Sequence, residues 1–403
     1  MKNDTLLAAI DLGSNSFRLE IGRLSLGQIH RVEYLKETVR QGNGLDSERL
    51  LSDEAMQRGW DCLARFAERL SGFKKQQVRA VATQTLREAR NREDFLSRAK
   101  QILGFPIEVI SGREEARLIY QGVAHLLPQT EDRRLVIDVG GRSTELIVGQ
   151  GLEASVTESY RVGSVAWSMK YFRHGQLDES AFDRAEIAAK AILDEALSLC
   201  PRNAWDVAYG SSGTVGAVGD ILSVAGWSQG IIDREGLAWL KRCMLRAQHV
   251  DKLRLEGLKE DRRAVIGGGV SVLMALFDLL DIDVLHVADG ALRHGVLFDM
   301  LEREDEHEDI RATTVRRLQK NFGVDLTQAD RVRRVALELL AQLSPDLPEH
   351  EPTRIRRKLE WAAQLHEMGA LISHSDYHKH GAYILDNSDA TGFAVSELHR
   401  LSL

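Results

Sequence analysis

Apolar positions in the first three hundred residues fall into short runs of period two, alternating with longer stretches of helical period, and polar turns separate them. Alternation predicts strands at 6–11, 17–23, 28–34 and 78–83, with helices around 53–70, 92–103 and 112–126. A second series begins with strands at 134–139, 144–149, 154–160 and 206–210, among helices near 180–198, 213–225, 234–246 and 261–280. Strands alternating with helices predict an α/β architecture.

The two series echo each other. "AAIDLGSNSFRLEIG" at 8–22 is matched by "LVIDVGGRSTELIVG" at 135–149: three apolar residues, Asp-x-Gly, a small polar turn, then a strand ending in glycine. The copies lie 127 positions apart, a spacing of domain size, so they predict a duplicated fold rather than a short-period repeat. From 301 the pattern becomes purely helical, with helices expected at 310–321, 328–343, 353–371 and 378–386. The expected domains are therefore 1–124, 125–300 and 301–403. The charged run "LEREDEHED" reads as a solvated linker or helix face. The closing "SELHRLSL" reads as part of an amphipathic helix, so the chain is expected to be shorter than its relatives.

Composition narrows the class. The 403 residues, 43% hydrophobic and 28% charged, suit two or three globular domains. A formal net charge of -7 argues against a general nucleic-acid binder, so any anion must be held locally. Cys62, Cys200 and Cys243 are odd in number and far apart, which argues against a disulfide framework and for a reducing cytoplasm. The apolar N-terminal stretch is interrupted at Asp11, too early for a signal peptide or membrane span.

Strand, Asp-x-Gly turn, strand is a way to present backbone N–H groups to an anion. Glycine permits close approach and hydroxyls add donors, which marks Gly13, Ser14, Asn15 and Ser16 in one copy and Gly140, Gly141, Arg142, Ser143 and Thr144 in the other. One such turn is also a common hairpin, whereas two facing copies would clamp a phosphate chain. Asp11 and Asp138 end their strands with carboxylates aimed at the same cleft, and Glu145 follows on the return strand. Mg²⁺ takes one or two carboxylates with water and phosphate oxygens, so Asp138, Glu145 and Asp11 are candidate ligands. Ser211, Ser212, Gly213 and Thr214 open a helix whose N-terminus is a potential anion site. In "AVATQTLREA", Thr85 follows a strand exit and Arg87 lies one turn into a helix, able to pair with phosphate.

The stretch "VISGREEARLIYQGV" at 109–123 is the sharpest. Ser111 with Glu114 forms a capping-box pattern, which gives Glu114 a structural task at the helix start. Glu115 has no such task. Beside Leu118 and Ile119 it sits where partial burial would raise a carboxyl pKa and suit it as a base.

Taken together, "DLGSNSFRL", "TQTLREA", "ISGREEARLIYQGV", "DVGGRSTEL", "GSSGTV" and "VADGALRHGVL" at 287–297 resemble the exopolyphosphatase and guanosine pentaphosphate phosphatase family over nearly the whole chain. The resemblance implies a duplicated actin-like, sugar-kinase-like (ribonuclease H-like) ATPase fold followed by a truncated all-α HD-like domain. It also implies Mg²⁺-aided release of terminal phosphate from inorganic polyphosphate or from pppGpp. By resemblance, Glu115 activates water, Asp138 and Glu145 lie near the metal, and turns 13–16, 140–144 and 211–214 surround the phosphates. "WAAQLHEMGALISHSDYHKHGAYIL" at 361–385 matches the helical domain, through which a homodimer is expected.

Two departures stand out. The second turn normally reads Gly-Gly-Gly-Ser, and here Arg142 replaces a glycine, either adding charge to the cradle or swinging away from it. By the same resemblance the chain is expected to lack the end of the helical domain and the small last domain, and long-chain binding is expected to be the weaker for it. His366, Glu367, His374, Asp376, His378 and His380 lack the order of an HD metal centre and read as structural. Arg354, Arg356, Arg357 and Lys358 read as a solvated helix face or a polyphosphate track. Exopolyphosphatase activity is the expected function, with pppGpp 5′-phosphohydrolase, a non-catalytic polyphosphate or guanosine tetraphosphate sensor, and a kinase of the same superfold as alternatives.

Overall fold

The computed structural model describes residues 3–303, 309–343 and 351–403. The chain divides into two compact units, one of Met1–Glu108 with Glu115–Leu301, the other of Val109–Glu114 with Glu302–Leu403.

The first unit contains two mixed sheets of matching plan. In one, β1 (Leu6–Leu12), β2 (Phe17–Ser25), β3 (Gln28–Glu37), β4 (Val78–Ala82) and β5 (Ile107–Val109) run in the order β3-β2-β1-β4-β5. In the other, β6 (Arg133–Val139), β7 (Thr144–Gln150), β8 (Glu153–Tyr160), β9 (Val207–Ser211), β10 (Ile231–Asp233) and β11 (Val284–Val287) run β10-β11-β9-β6-β7-β8. β1 pairs antiparallel with β2 and parallel with β4, as β6 does with β7 and β9. Even the irregularity is duplicated: register shifts at Ile21/Gly22 in β2–β3 and at Val148/Gly149 in β7–β8, 127 positions on. A side chain at Gly149 would put Cβ 2.4 Å from the Glu153 carbonyl, so the bulge requires glycine there. The echo in the sequence is thus a duplicated α/β fold of the actin-like class.

Central strands β1 and β6 are buried almost throughout, as strands covered on both faces must be. The second sheet shares a continuous core with helices Glu179–Leu193, Ser212–Val224, Arg234–Ala247 and Ile266–Leu279. Helix Gly112–Ala124, which begins in the second unit and continues in the first, crosses helix Leu292–Glu302 at very short range. An added Cβ on Gly295 would lie 1.7 Å from the Leu118 carbonyl oxygen, so the crossing requires glycine.

The second unit is helical: Ile310–Asn321, Leu326–Leu343, Glu351–Leu365, Tyr377–Asp386 and Val395–Ser402, around Trp361, Met368, Phe393 and Leu398. The helix expected over 353–371 stops at Leu365. Gly369 then packs against the 377–381 backbone, where a Cβ would meet the Tyr377 carbonyl at 2.0 Å, and the chain turns through a short 3-10 segment, Met368–Leu371. Of the basic segment, Arg356 faces Glu360 at 3.5 Å and Arg357 pairs with Asp309 at 3.1 Å. The Arg354 side chain lies outside the described residues, as does 304–308 of the charged run. Residues 109–114 join this unit through an Ile110–Ala394 bridge and the Gly392 N–H, which donates to the Glu114 carboxylate at 2.7 Å. Among the described residues no helix is long and apolar enough to cross a membrane.

Candidate active site

The two Asp-x-Gly turns come together. Gly141 approaches Ser14 so closely that a Cβ would stand 3.1 Å from the Ser14 Cβ and 3.5 Å from the Asn15 nitrogen. Both turns have one geometry: a Cβ on Gly13 would meet the Ser16 carbonyl at 3.0 Å, and one on Gly140 would meet that of Ser143 at 3.0 Å. Their carbonyls are anchored by the protein, with Arg40 and Gly42 amides donating to Asn15 and Ser14, and Ser164 and Val165 amides donating to Gly140 and Gly141. Among the described residues, the N–H groups of Gly13 to Ser16 and of Gly141 to Ser143 donate to no protein acceptor. Unpaired amides gathered on two abutting turns form a cradle suited to an anion.

Carboxylates converge beside it. Asp138 and Glu145 are directly opposite each other on β6 and β7, so both side chains leave one face of the sheet. Glu145 is buried and accepts from the Ser159 hydroxyl at 2.8 Å. Glu115, 6% exposed, receives the Arg87 guanidinium at 3.0 Å. Burial pushes the Glu115 carboxyl up to about 7; Arg87 pulls against this and the charges of Asp11 and Asp138 reinforce it. Asp138 is raised to about 6 by burial, against which the positive charge of Arg18 pulls. Glu145 lies well above the usual carboxylate range, through burial and then the charges of Glu115 and Asp138.

Several predicted residues have partners within the protein. Arg87 is paired with Glu115 rather than standing free for phosphate. Thr144, fully buried, donates its hydroxyl to the Val162 carbonyl at 2.6 Å and braces the turn. Ser211 donates to the Gly290 carbonyl at 2.9 Å. Ser212 adopts φ +93 and its hydroxyl accepts from the Thr214 and Val215 amides, so the helix caps itself instead of offering those groups to an anion. Thr214 is buried, whereas the Thr85 hydroxyl, also buried, has no hydrogen-bond partner. Arg142 swings away from the cradle to Glu88 and the Gly42 carbonyl, at a φ that needs no glycine. Asp11 is ion-paired with Arg18 at 2.9 Å, and among the described residues no three acidic, His or Cys groups are close enough to enclose a metal. Of the three predicted carboxylates, Asp138 and Glu145 are set opposite each other by strand register, while Asp11 is committed to Arg18.

Two cations were not predicted. Arg18 faces Asp11 across β1–β2, and Arg262 lies over Gly213, where a Cβ would come within 1.9 Å of its Nη2. Arg262 is 7% exposed, and burial together with Arg18 lowers its pKa. Both arginines act electrostatically on Asp138. The arrangement offers backbone donors and the buried Arg262 guanidinium to a phosphate chain, with the half-buried Arg18 held on Asp11 and a carboxyl near neutrality beside them.

The Ppx/GppA phosphatase family matches residues 21–304, and its domain III matches residues 310–403. A guanosine-5'-triphosphate,3'-diphosphate pyrophosphatase of Vibrio cholerae is 41% identical over 396 residues, 98% of this chain and 79% of the relative. That of Vibrio vulnificus is 42% identical over 395 residues, again 98% and 79%. Among solved structures, an exopolyphosphatase-like protein aligns with TM-score 0.68 at 25% identity, covering 75% of this chain and 100% of its own. The Aquifex aeolicus PPX-GPPA enzyme aligns with TM-score 0.61 at 25% identity, covering 73% and 99%.

Proposed function

The chain belongs to the Ppx/GppA phosphatase family, and from that premise we propose that it hydrolyses the terminal 5′-phosphate of guanosine 5′-triphosphate 3′-diphosphate (pppGpp). The reading rests on one observation above others: Glu115, buried and poised near neutral pH, stands in the same carboxylate cluster as Asp138, at the end of the strand that enters the second unpaired-amide turn. Relatives 41% and 42% identical over 98% of this chain carry the guanosine name, which favours pppGpp over the inorganic polyphosphate expected from sequence.

In the proposed reaction the amides of turns 13–16 and 141–143 and the Arg262 guanidinium bind the terminal phosphate oxygens. Glu115, as carboxylate, takes a proton from water as the water oxygen bonds to the terminal phosphorus. The β–γ anhydride bond breaks, and its electron pair leaves on the β-phosphate oxygen, giving orthophosphate and guanosine 3′,5′-bis(diphosphate). Arg87 fixes the orientation of Glu115. Asp138 and Glu145, buried carboxylates side by side and pushed toward protonation, are a donor set suited to a hard cation, and these two would hold Mg²⁺. When bound, Mg²⁺ supplies positive charge against the carboxylates and the phosphate chain.

Phosphate release measured side by side from pppGpp, short polyphosphate and long polyphosphate tests the assignment. The expected result is the highest kcat/KM on pppGpp. Release from polyphosphate alone would establish the exopolyphosphatase reading instead, and tight pppGpp binding without release would establish a sensor.

A further inference from the structure

Arg142 stands where the resembling family carries glycine, and its side chain connects to the candidate base through an unbroken series of hydrogen bonds. Its Nε and Nη2 donate to Glu88 Oε2 at 3.3 and 3.2 Å, and its Nη1 donates to the Gly42 carbonyl at 3.1 Å. The other Glu88 oxygen accepts from Gln84 Nε2 at 2.8 Å. Gln84 Oε1 in turn accepts from Arg87 Nε at 2.9 Å and Nη2 at 2.5 Å. Arg87 Nη2 then donates to Glu115 Oε2 at 3.0 Å. Both ends of the Gln84 amide are committed, so its orientation, and that of Arg87, are fixed by the pair beyond it.

We propose that Arg142 is a positioning residue for catalysis, holding the Arg87–Glu115 pair in place through Glu88 and Gln84 rather than touching phosphate itself. Every group in the series is at least partly shielded: the Arg142 side chain is 18% exposed, Glu88 13%, Arg87 19% and Glu115 8%. A charge-assisted series in such surroundings holds geometry better than surface ion pairs do. The connection also spans the duplication. Arg142 is on the turn between β6 and β7, while Gly42, Gln84, Arg87 and Glu88 follow strands of the first sheet, so the turn that cradles phosphate is tied to the element that orients the base. Without Arg142, the Glu88 carboxylate keeps, among the described residues, Gln84 and Arg161, the latter at 3.7 Å, and draws Arg87 toward itself and away from Glu115. Glu115 is faced by Arg87 from the helix Gln84–Glu88, by Asp11 from β1, by Asp138 from β6 and by Glu145 from β7, so Arg87 is the one cation of that set.

The inference rests on the hydrolase reading, and two measurements keep the two apart. In steady-state phosphate release, Arg142→Gly is expected to lower kcat about tenfold with KM within about threefold, the scale of a misplaced catalytic group. Arg142→Lys, which restores a cation to Glu88, is expected to recover much of the loss. In a Glu115→Gln background the same Arg142→Gly change is expected to have little further effect. A raised KM with kcat unchanged, or full additivity with Glu115→Gln, would mean direct phosphate binding and overturn the proposal. Independently of activity, the ¹⁵N resonance and exchange rate of Arg87 Nε–H are expected to change in Arg142→Gly. An unaltered Arg87 signal overturns the relay, whereas a parent protein that releases no phosphate overturns the hydrolase reading.

Discussion

Arg18 occupies in the first sheet the register position that Glu145 occupies in the second. Each follows its strand-ending aspartate by seven residues and pairs with it across an antiparallel ladder, Asp11 with Arg18 and Asp138 with Glu145. Duplication therefore left one ion pair and one pair of like charges at equivalent places. An ion pair satisfies itself, whereas two buried carboxylates side by side require a proton or a cation.

Metal dependence should follow that asymmetry. Glu145→Gln is expected to raise the Mg²⁺ concentration for half-maximal phosphate release by tenfold or more, since even outer-shell changes act on that scale. Asp11→Asn, which removes a carboxylate already committed to Arg18, is expected to shift it far less. Equal shifts in the two variants would place the cation between the sheets rather than on the second.

Glu115 gives a prediction of opposite sign for stability and for rate. Its folded pKa, about 7, exceeds the unfolded value, so the folded state holds the proton more tightly and the resulting stability is full at low pH and lost as pH rises toward and through 7. In chelator, the parent should lose more thermal stability between pH 5 and pH 8 than Glu115→Gln, which should melt a few degrees higher at pH 8. Turnover in Glu115→Gln is expected to fall by roughly 10²- to 10⁴-fold, the contribution of a general base. Parallel melting curves across that range would mean that Glu115 is not the group held near neutrality.

Arg262 should contribute to binding and little to folding. It is buried, its pKa is depressed, and its neighbouring carboxylate, Asp261, is 4.0 Å away. A hydrogen bond to a charged group is worth about 1.5–3 kcal/mol. Arg262→Met is accordingly expected to raise KM about tenfold or more while leaving the urea midpoint unchanged or higher. Gly213→Ala, whose methyl would displace the guanidinium, should raise KM in the same direction. A large loss of stability in Arg262→Met would assign this side chain to the core instead.

What the sequence disclosed depended on whether a residue's task was local. The capping pattern set Glu114 apart from Glu115, and the structure has the Ser111 hydroxyl accepting from the Glu114 amide at 3.2 Å while Glu115 turns to Arg87. The repeat disclosed both turns and, through strand register, the Asp138–Glu145 pair. Arg262 left no trace, because "KEDRR" reads as a solvated charge run until Gly213, 49 positions earlier, is folded against it. Thr144 and Ser211 show the complementary ambiguity: a hydroxyl in a Gly-rich turn has the same sequence signature whether it donates to phosphate or, as in this structure, to a backbone carbonyl such as Val162 or Gly290. Substrate choice was illegible, since polyphosphate and pppGpp end in the same phosphoryl group.

Asp299 illustrates how much of the site's precision lies outside it. This carboxylate is fully buried and receives Arg79 from β4 and, at 2.5 Å, Arg117 from the helix that carries Glu115 two residues earlier. Breaking a buried ion pair by removing one charge leaves the partners desolvated, which costs about 3–5 kcal/mol. Asp299→Asn is expected to lower the unfolding free energy on that scale, as read from the urea midpoint. Because Arg117 and Glu115 share one helix, kcat should fall with it, while KM for phosphate release changes less. The isosteric amide keeps the volume, so an unchanged midpoint would show that hydrogen bonding rather than charge holds the two arginines.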